Sequence, residues 1–198
     1  MDYVIKNVAT AEELGDALAF SKEIFADRPA LESPAFSYEK WLARLKAQGD
    51  LILYAERGGK VVGIVFGAVE DNGNLTIEMV AVDERFRKQG LAREMMLTVE
   101  ERAKAHGVHL IALGALQSAE GFYSRLGYTG SLLIQSEQHS IGELLSLNKK
   151  YPVRYTNVYD GKINQVCLEL PEADRELQRE YETTLPGCHT QMMFWKNI

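Results

Sequence analysis

Residues 80–93 read VAVDERFRKQGLAR and pass from an apolar run through a charged turn into a helical pattern. The β-branched run that ends at Val82 is typical of a strand. After Gly90 the apolar residues recur at helical spacing, and Gly107 ends that pattern. The segment therefore predicts a strand, a tight turn and a helix whose first backbone amides face the turn.

Cations crowd the start of this predicted helix. They are Arg85, Arg87, Lys88 and Arg93. Acidic residues are what normally stabilise a helix N-terminus, and the unpaired amides there suit a phosphate or pyrophosphate group. We therefore expect a bound anion at the turn. A solvated charged turn with a packing glycine is the alternative.

The flanking sequence predicts a mixed fold. LILYAE, VVGIVFGAV and LTIEMVAV are separated by the turn residues Gly58-Gly59 and 71–74, which predicts an antiparallel meander. Upstream we expect a strand at 3–8, then a helix that Thr10 and Glu13 open with a capping box. A second short helix follows around Trp41.

Downstream the pattern continues with further strands and helices. We expect a strand at 108–115, a helix over 118–126, a strand up to residue 134, a helix near 140–148, a hairpin of 153–159 and 162–170 turned at Asp160-Gly161, a helix near 172–183, and a last strand at 190–196. The predicted class is α/β of the α+β type, with a mixed, mostly antiparallel central sheet flanked by helices.

Composition bounds the function. The 198 residues carry a net charge of −6, which argues against a protein that coats nucleic acid or an anionic membrane. Two cysteines are too few for a zinc cluster or a disulfide scaffold, and we expect no metal site. No apolar run reaches the ~18 residues of a membrane span. We expect a soluble cytoplasmic protein.

A second motif, GFYSRLGY at 121–128, follows on a later predicted helix. Together the two segments resemble the GCN5-related N-acetyltransferase (GNAT) superfamily. The family's acyl-CoA loop, Arg/Gln-x-x-Gly-x-Gly/Ala, is matched by Arg87, Gly90 and Ala92. Its later pattern, F-Y-x-x-x-G-F/Y, is matched by Phe122, Tyr123, Gly127 and Tyr128. The predicted element order up to residue 134 is also the family's order.

The resemblance implies binding of acetyl-CoA as co-substrate and transfer of its acetyl group to a primary amine by direct attack. It implies that loop amides wrap the pyrophosphate, here those of Lys88, Gln89, Gly90, Leu91 and Ala92, with side-chain charge from Arg87 and Arg93. It also implies a bulge on the preceding strand that meets the thioester and pantetheine, here at Val80, Ala81 and Val82. Phe122 and Gln117 complete the expected CoA contacts, Gln117 standing where many relatives have asparagine.

Two residues are expected to carry the chemistry. Tyr123 holds the family's position for the group that protonates, or hydrogen-bonds, the departing thiolate. Strand alternation places Glu78 on one face with Val80, so its carboxylate is the candidate base, directly or through a water. The alternatives are an ordinary surface tyrosine, a solvent-facing glutamate, and loss of the amine proton to solvent. Cys188-His189 is disfavoured as a nucleophile pair because adjacent strand residues point opposite ways.

The resemblance divides the chain into a core of residues 1–135 and an extension of 136–198. We interpret 136–188 as an insertion on the acceptor side, with the strand at 190–196 completing the sheet. The competing interpretation makes 136–198 an αββαβ domain for dimerisation, which leaves monomer and homodimer open.

The acceptor is expected to be a small-molecule or peptide amine. In the family the first two helices and their loop select it, and here that stretch offers Asp27, Glu32, Phe36 and Tyr38. Acidic and aromatic side chains suit a small cationic amine. A non-catalytic acyl-CoA sensor or interaction module is the alternative function.

Overall fold

The computed structural model of the protein describes residues 3–26 and 37–198. In chain order its elements are β1 (Val4–Asn7), α1 (Ala11–Ile24), α2 (Tyr38–Gln48), β2 (Ile52–Arg57), β3 (Lys60–Val69), β4 (Leu75–Val82), α3 (Leu91–Ala105), β5 (Leu110–Gly114), α4 (Glu120–Arg125), β6 (Thr129–Ser136), α5 (Ile141–Ser146), β7 (Val153–Tyr159), β8 (Ile163–Glu169), α6 (Arg175–Thr184) and β9 (Cys188–Asn197). The predicted α/β class, with mostly antiparallel strands flanked by helices, is confirmed.

The described residues fall into two compact units. The N-terminal unit holds those up to Ile111 together with Asn197–Ile198, and the C-terminal unit is Ala112–Lys196. Strand β5 crosses the boundary between them. The division at residue 135 expected from the sequence stays a prediction.

The N-terminal unit contains the predicted meander. Its strands lie in the order β1-β2-β3-β4, and each neighbouring pair is antiparallel. Trp41 of α2 is fully buried and meets Phe66 of β3 edge-on, with ring centroids 4.8 Å apart. Helix α3 buries Met95, Met96 and Val99, part of the apolar stripe read from the sequence. The apolar spacing therefore decides which faces of these elements are buried.

The capping box at the start of α1 is confirmed. Thr10 Oγ1 accepts from the Glu13 amide at 3.1 Å, and Glu13 Oε2 accepts from the Thr10 amide at 3.0 Å. The same carboxylate accepts from the Ala9 amide at 2.8 Å and from the Tyr54 hydroxyl at 2.8 Å. Glu13 thus joins the start of α1 to β2 as well as capping the helix.

The C-terminal unit has strand order β5-β9-β6-β8-β7. Strand β9 pairs antiparallel with β6, from Thr129 opposite Trp195 to Ser136 opposite Cys188, so the last strand lies within the sheet. Strand β8 pairs with the other edge of β6, and the β7–β8 hairpin therefore extends this sheet. Its turn has Asp160 and Gly161 at φ 52° and 68°, the left-handed conformation of a type I′ turn.

The extension's helices begin at side-chain caps. Ser140 and Glu143 form a capping box at α5, and the Asp174 carboxylate accepts from the Leu177 amide at α6. Helix α6 therefore starts at Arg175, slightly later than the predicted residue 172. The buried Tyr181 hydroxyl donates to the Leu144 carbonyl at 2.7 Å, which joins α6 to α5.

Glu13→Gln tests the electrostatic part of the α1 cap. Hydrogen bonds, first from the Ala9 amide and then from Tyr54, lower the pKa of Glu13 from 4.5. Its stabilising contribution is therefore complete above that pH and is lost as pH falls through the folded-state pKa. We expect the variant to be less stable than wild type at neutral pH, and the difference to shrink as the pH falls below 4.5. Urea unfolding at several pH values measures it.

Glu12→Gln is the matched control, since Glu12 lies in the same first turn and is exposed. If the Glu13 variant lost the same amount of stability at neutral and at acid pH, the charge of Glu13 would make no contribution to the cap.

Candidate active site

The turn after β4 is held by one ion pair. The Asp83 carboxylate accepts from the Arg85 amide at 2.9 Å and from the Arg85 guanidinium at 3.0 and 2.6 Å. Those bonds lower the pKa of Asp83 to about 2, with the side-chain bond from Arg85 as the largest cause. The charge of Arg85 is therefore already balanced inside the turn.

The chain then bends into α3 through two left-handed residues. Lys88 has φ 60° and Gly90, at the N-cap of α3, has φ 91°. No side chain caps the helix, so the amides of residues 91–93 form an open end. A Cβ on Gly90 would meet nothing within 4 Å, so its left-handed conformation, and not crowding, is what favours glycine. This open end fits the pyrophosphate cradle expected from the sequence.

Of the remaining loop side chains, two bind backbone carbonyl groups and two are cations without an ion pair among the described residues. Arg87 Nε donates to the Val82 carbonyl at 3.0 Å, and Gln89 Nε2 donates to the Arg85 carbonyl at 2.8 Å. Lys88 and Arg93 form no ion pair with the described residues. Their positive charge is therefore available at the open end of the helix.

Space is present beside this end. A groove of about 670 Å³ runs along α3 from Gly90 to Arg102, and Gln89 and Arg93 line it. An anion held by the helix amides thus has room for a larger attached group.

The bulge expected at Val80–Val82 lies elsewhere on β4. Met79 pairs with Phe66 and Ile77 pairs with Gly67, which leaves Glu78 as the extra residue. Val80, Ala81 and Val82 pair regularly with Val65, Ile64 and Gly63 of β3. The expectation was wrong in position because the pairing of β3 with β4, and not the residues of β4 alone, decides where the extra residue falls.

Glu78 is charge-paired in the N-terminal unit. Its Oε1 binds the Arg44 guanidinium and lies 3.6 Å from Lys40 Nζ, and its side chain is 11% exposed. Arg44 also binds Glu70 Oε1 at 3.1 Å and lies over the Trp41 ring. Arg44 was missed at the sequence level because it lies 34 residues before Glu78 and no local pattern links the two.

Tyr123 lies in the C-terminal unit on α4, with a residue exposure of 6%. Its ring packs on Phe122, Tyr128 and Phe194, with centroids 5.1, 6.0 and 5.8 Å away. Burial raises the pKa of Tyr123 to about 12. Its hydroxyl makes no hydrogen bond with the described residues, so a neutral donor is left available there.

The other expected residues have simpler surroundings. Gln117 is exposed in a 3₁₀ turn before α4, and Phe122 is half-buried on α4. Cys188 is buried, and burial raises the pKa of its thiol to about 11, whereas His189 is exposed. Asp27, Glu32 and Phe36 lie outside the described residues. Tyr38 is 39% exposed and donates to the Ala11 carbonyl at 3.3 Å.

Comparisons with known proteins show the family and the fold. The chain matches the acetyltransferase (GNAT) family over residues 17–128. A search of curated proteins finds no match. Among solved structures, polyamine N-acetyltransferase from Drosophila melanogaster is 16% identical with a TM-score of 0.60, each chain being covered in full. The PaiA N-acetyltransferase of Thermoplasma acidophilum, in complex with coenzyme A, is 14% identical with a TM-score of 0.52, over 86% of this chain and 100% of that one.

A third similar structure is the diaminobutyrate acetyltransferase EctA of Paenibacillus lautus, 17% identical with a TM-score of 0.51 over 87% of this chain and 98% of that one. The chain belongs to the acetyltransferase (GNAT) family. It is accordingly an acyl-CoA-dependent N-acetyltransferase with acetyl-CoA as co-substrate. None of the described helices is long and apolar enough to span a membrane.

Gly90→Asp tests the open helix end. Aspartate is a favourable N-cap, so its carboxylate would bind the amides and repel a pyrophosphate. We expect the affinity for acetyl-CoA to fall roughly 10- to 100-fold, the equivalent of one or two charge-assisted hydrogen bonds. Calorimetric titration measures the affinity.

Gly90→Asn is the control, because it has the same shape without the charge. Both variants should unfold within about 1 kcal/mol of wild type, since a cap offsets the cost of a left-handed residue. Unchanged acetyl-CoA affinity in the aspartate variant would place the pyrophosphate away from α3.

Proposed function

We propose that the protein transfers the acetyl group of acetyl-CoA to a primary amine of a small cationic molecule, with a peptide N-terminus as the next acceptor class. The observation that carries the proposal is the left-handed start of α3 at Gly90, beside Lys88 and Arg93, which pair with no acidic group in residues 3–26 and 37–198. It offers an anion site where this family holds acyl-CoA.

The proposed reaction forms one bond, breaks one bond and releases one proton. The neutral amine nitrogen attacks the thioester carbon, an N–C bond forms and the C–S bond breaks. The amine loses one proton, and the sulfur leaves with the electron pair of the broken bond. The protein must therefore help to remove a proton from nitrogen and stabilise negative charge on sulfur.

Tyr123 is proposed to serve the sulfur. With a pKa of about 12 its phenol stays protonated at neutral pH, so it can always donate a hydrogen bond. A thiol has a pKa of about 8.5, so complete proton transfer from this phenol to a thiolate is uphill. The phenol of this buried residue is therefore better suited to donating a strong hydrogen bond as charge develops than to giving up its proton.

Glu78 is proposed to take the amine proton, directly or through a water. Its position at the β4 bulge removes one residue of the strand from regular pairing. Arg44 and Lys40 compete with this role, because both contact the same carboxylate oxygen, Oε1.

The acceptor class rests on chemical analogy and charge. Two of the similar structures are described as acetylating polyamines and diaminobutyrate, both small amines. The chain's net charge of −6 favours the approach of cations. Near α2, Glu70 and Glu78 are already balanced by Arg44 and Lys40, so further acidic groups would be needed to bind a polyamine there.

An amine panel tests the proposal. Spermidine, agmatine, L-2,4-diaminobutyrate and a peptide with a free N-terminus are compared by release of the CoA thiol. We expect turnover of at least one small diamine, and Tyr123→Phe should lower its kcat about 100-fold with little change in KM for acetyl-CoA. Tight acetyl-CoA binding without thiol release from any amine would favour the sensor function instead.

Glu78→Gln tests whether Glu78 accepts the amine proton or only holds Arg44 in place. We expect a fall in kcat of about 100-fold, because the amide cannot accept the proton. Glu70→Gln is the matched control, since Glu70 binds the same Arg44 guanidinium. If both substitutions lowered kcat equally, Glu78 would act by holding Arg44 and solvent would take the proton.

A further inference from the structure

An ion pair joins the extension to the helix that carries Tyr123. Arg175, the first residue of α6, binds the carboxylate of Glu120, the first residue of α4, through its guanidinium Nη2. Glu120 is only 15% exposed and Arg175 is 35% exposed. The pair is thus partly shielded from solvent, where charge pairs are stronger than on an open surface.

Arg175 is itself held in place by neighbours on the extension. Its Nη1 donates to Gln178 Oε1 at 2.6 Å, and Gln178 Nε2 donates to Thr190 Oγ1 on β9 at 3.2 Å. Thr190 in turn donates to Glu182 Oε1 of α6 at 2.5 Å. This chain of bonds connects the guanidinium to the strand that also supplies Phe194 to the Tyr123 ring.

Helix α4 needs external support. It has six residues, and Ala119 at its N-cap provides no side-chain hydrogen bond. Helices this short are marginal without tertiary contacts. Glu120 and Tyr123 are three residues apart and so lie on neighbouring positions of one helix face. A contact that fixes Glu120 therefore limits rotation and shift of Tyr123.

The position of Arg175 is unfavourable for its own helix. A cation in the first turn opposes the helix dipole, and the Asp174 cap already satisfies this end of α6. Replacing the arginine should therefore cost α6 only the side-chain bond to Gln178. The positive charge of Arg175 is explained by its ion pair with Glu120 of α4.

We infer that Arg175 is a positioning residue for Tyr123, acting through Glu120 to hold α4. The inference rests on the proposed role of Tyr123 at the departing sulfur. In-line placement of a hydrogen-bond donor matters because a shift of about 1 Å can cost about 100-fold in rate. Arg175 thereby contributes to catalysis through its contact with Glu120.

Arg175→Met tests the inference in the full chain, and Arg179→Met is the matched control on the exposed side of the same helix. Hydrogen exchange of the amides of 120–126 is measured without ligand. Initial rates use acetyl-CoA with spermidine, in the wild type and in the Tyr123→Phe background. Arg175→Lys keeps the positive charge but loses the guanidinium geometry. Glu120→Gln removes the negative charge of the pair.

We expect faster exchange in α4 and a roughly 10-fold lower kcat for Arg175→Met, with unchanged KM for acetyl-CoA and no effect of Arg179→Met. In the Tyr123→Phe background the same substitution should change kcat less than about twofold, because the positioned group is gone. Arg175→Lys should recover part of the rate.

Other outcomes overturn the inference in separable ways. Unchanged exchange and kcat in Arg175→Met, with a strong effect of Tyr123→Phe, would remove the role of Arg175 alone. Equal losses in both backgrounds would show general structural support. Full activity of Tyr123→Phe would overturn the proposed role of the tyrosine, and the positioning role would fall with it. Without turnover of spermidine, the exchange measurement still decides whether Arg175 holds α4.

Discussion

The left-handed start of α3 is the constraint on which the candidate anion site depends. Gly90 has φ 91° and no side chain to accept a capping hydrogen bond, so it leaves the first backbone amides of the helix uncapped. A side-chain cap there would be offset by the cost of placing a non-glycine residue in the left-handed conformation, so glycine leaves the amides open at little cost in stability. Arg87 ties the loop to the end of β4 through the Val82 carbonyl, which fixes where the amides point. An anion that binds this end satisfies the amides that a side-chain cap would otherwise bind.

The distribution of charge supports the same conclusion. Arg85 is balanced by Asp83, Arg44 by Glu78 and Glu70, and Arg175 by Glu120. These arginines connect one element of a unit to another or brace a turn. Lys88 and Arg93 differ, because they lie at the open end of a helix and pair with no described carboxylate. In a chain with a net charge of −6, such a local excess of positive charge indicates a ligand of opposite sign.

Local signals made much of the fold predictable. The Thr10–Glu13 capping box and the Asp160-Gly161 turn are short-range patterns whose geometry follows from a few residues, and both are present. The bulge at Glu78 was misplaced because it depends on the register between two strands. The Arg44 partner of Glu78 could not be predicted at all, since a contact across 34 residues leaves no periodic trace. The motifs identify the candidate residues, whereas tertiary packing decides the surroundings of their side chains.

Tyr123 shows how far surroundings change the chemistry that a motif suggests. The F-Y-x-x-x-G pattern gives its position, but Phe194 of β9 and Tyr128 bury it and raise its pKa to about 12. A phenol with an ordinary pKa near 10 would be a closer match for protonating a thiolate. The buried phenol is a weaker acid and a permanent donor. Strand β9 lies beside β6 only after the chain has passed through α5, β7, β8 and α6. Phe194 of β9, which packs on Tyr123, and Arg175 of α6, which binds Glu120 of α4, therefore both come from residues 136–198. A long connection adds little closure entropy, so residues this far along the chain can contribute to the environment of Tyr123.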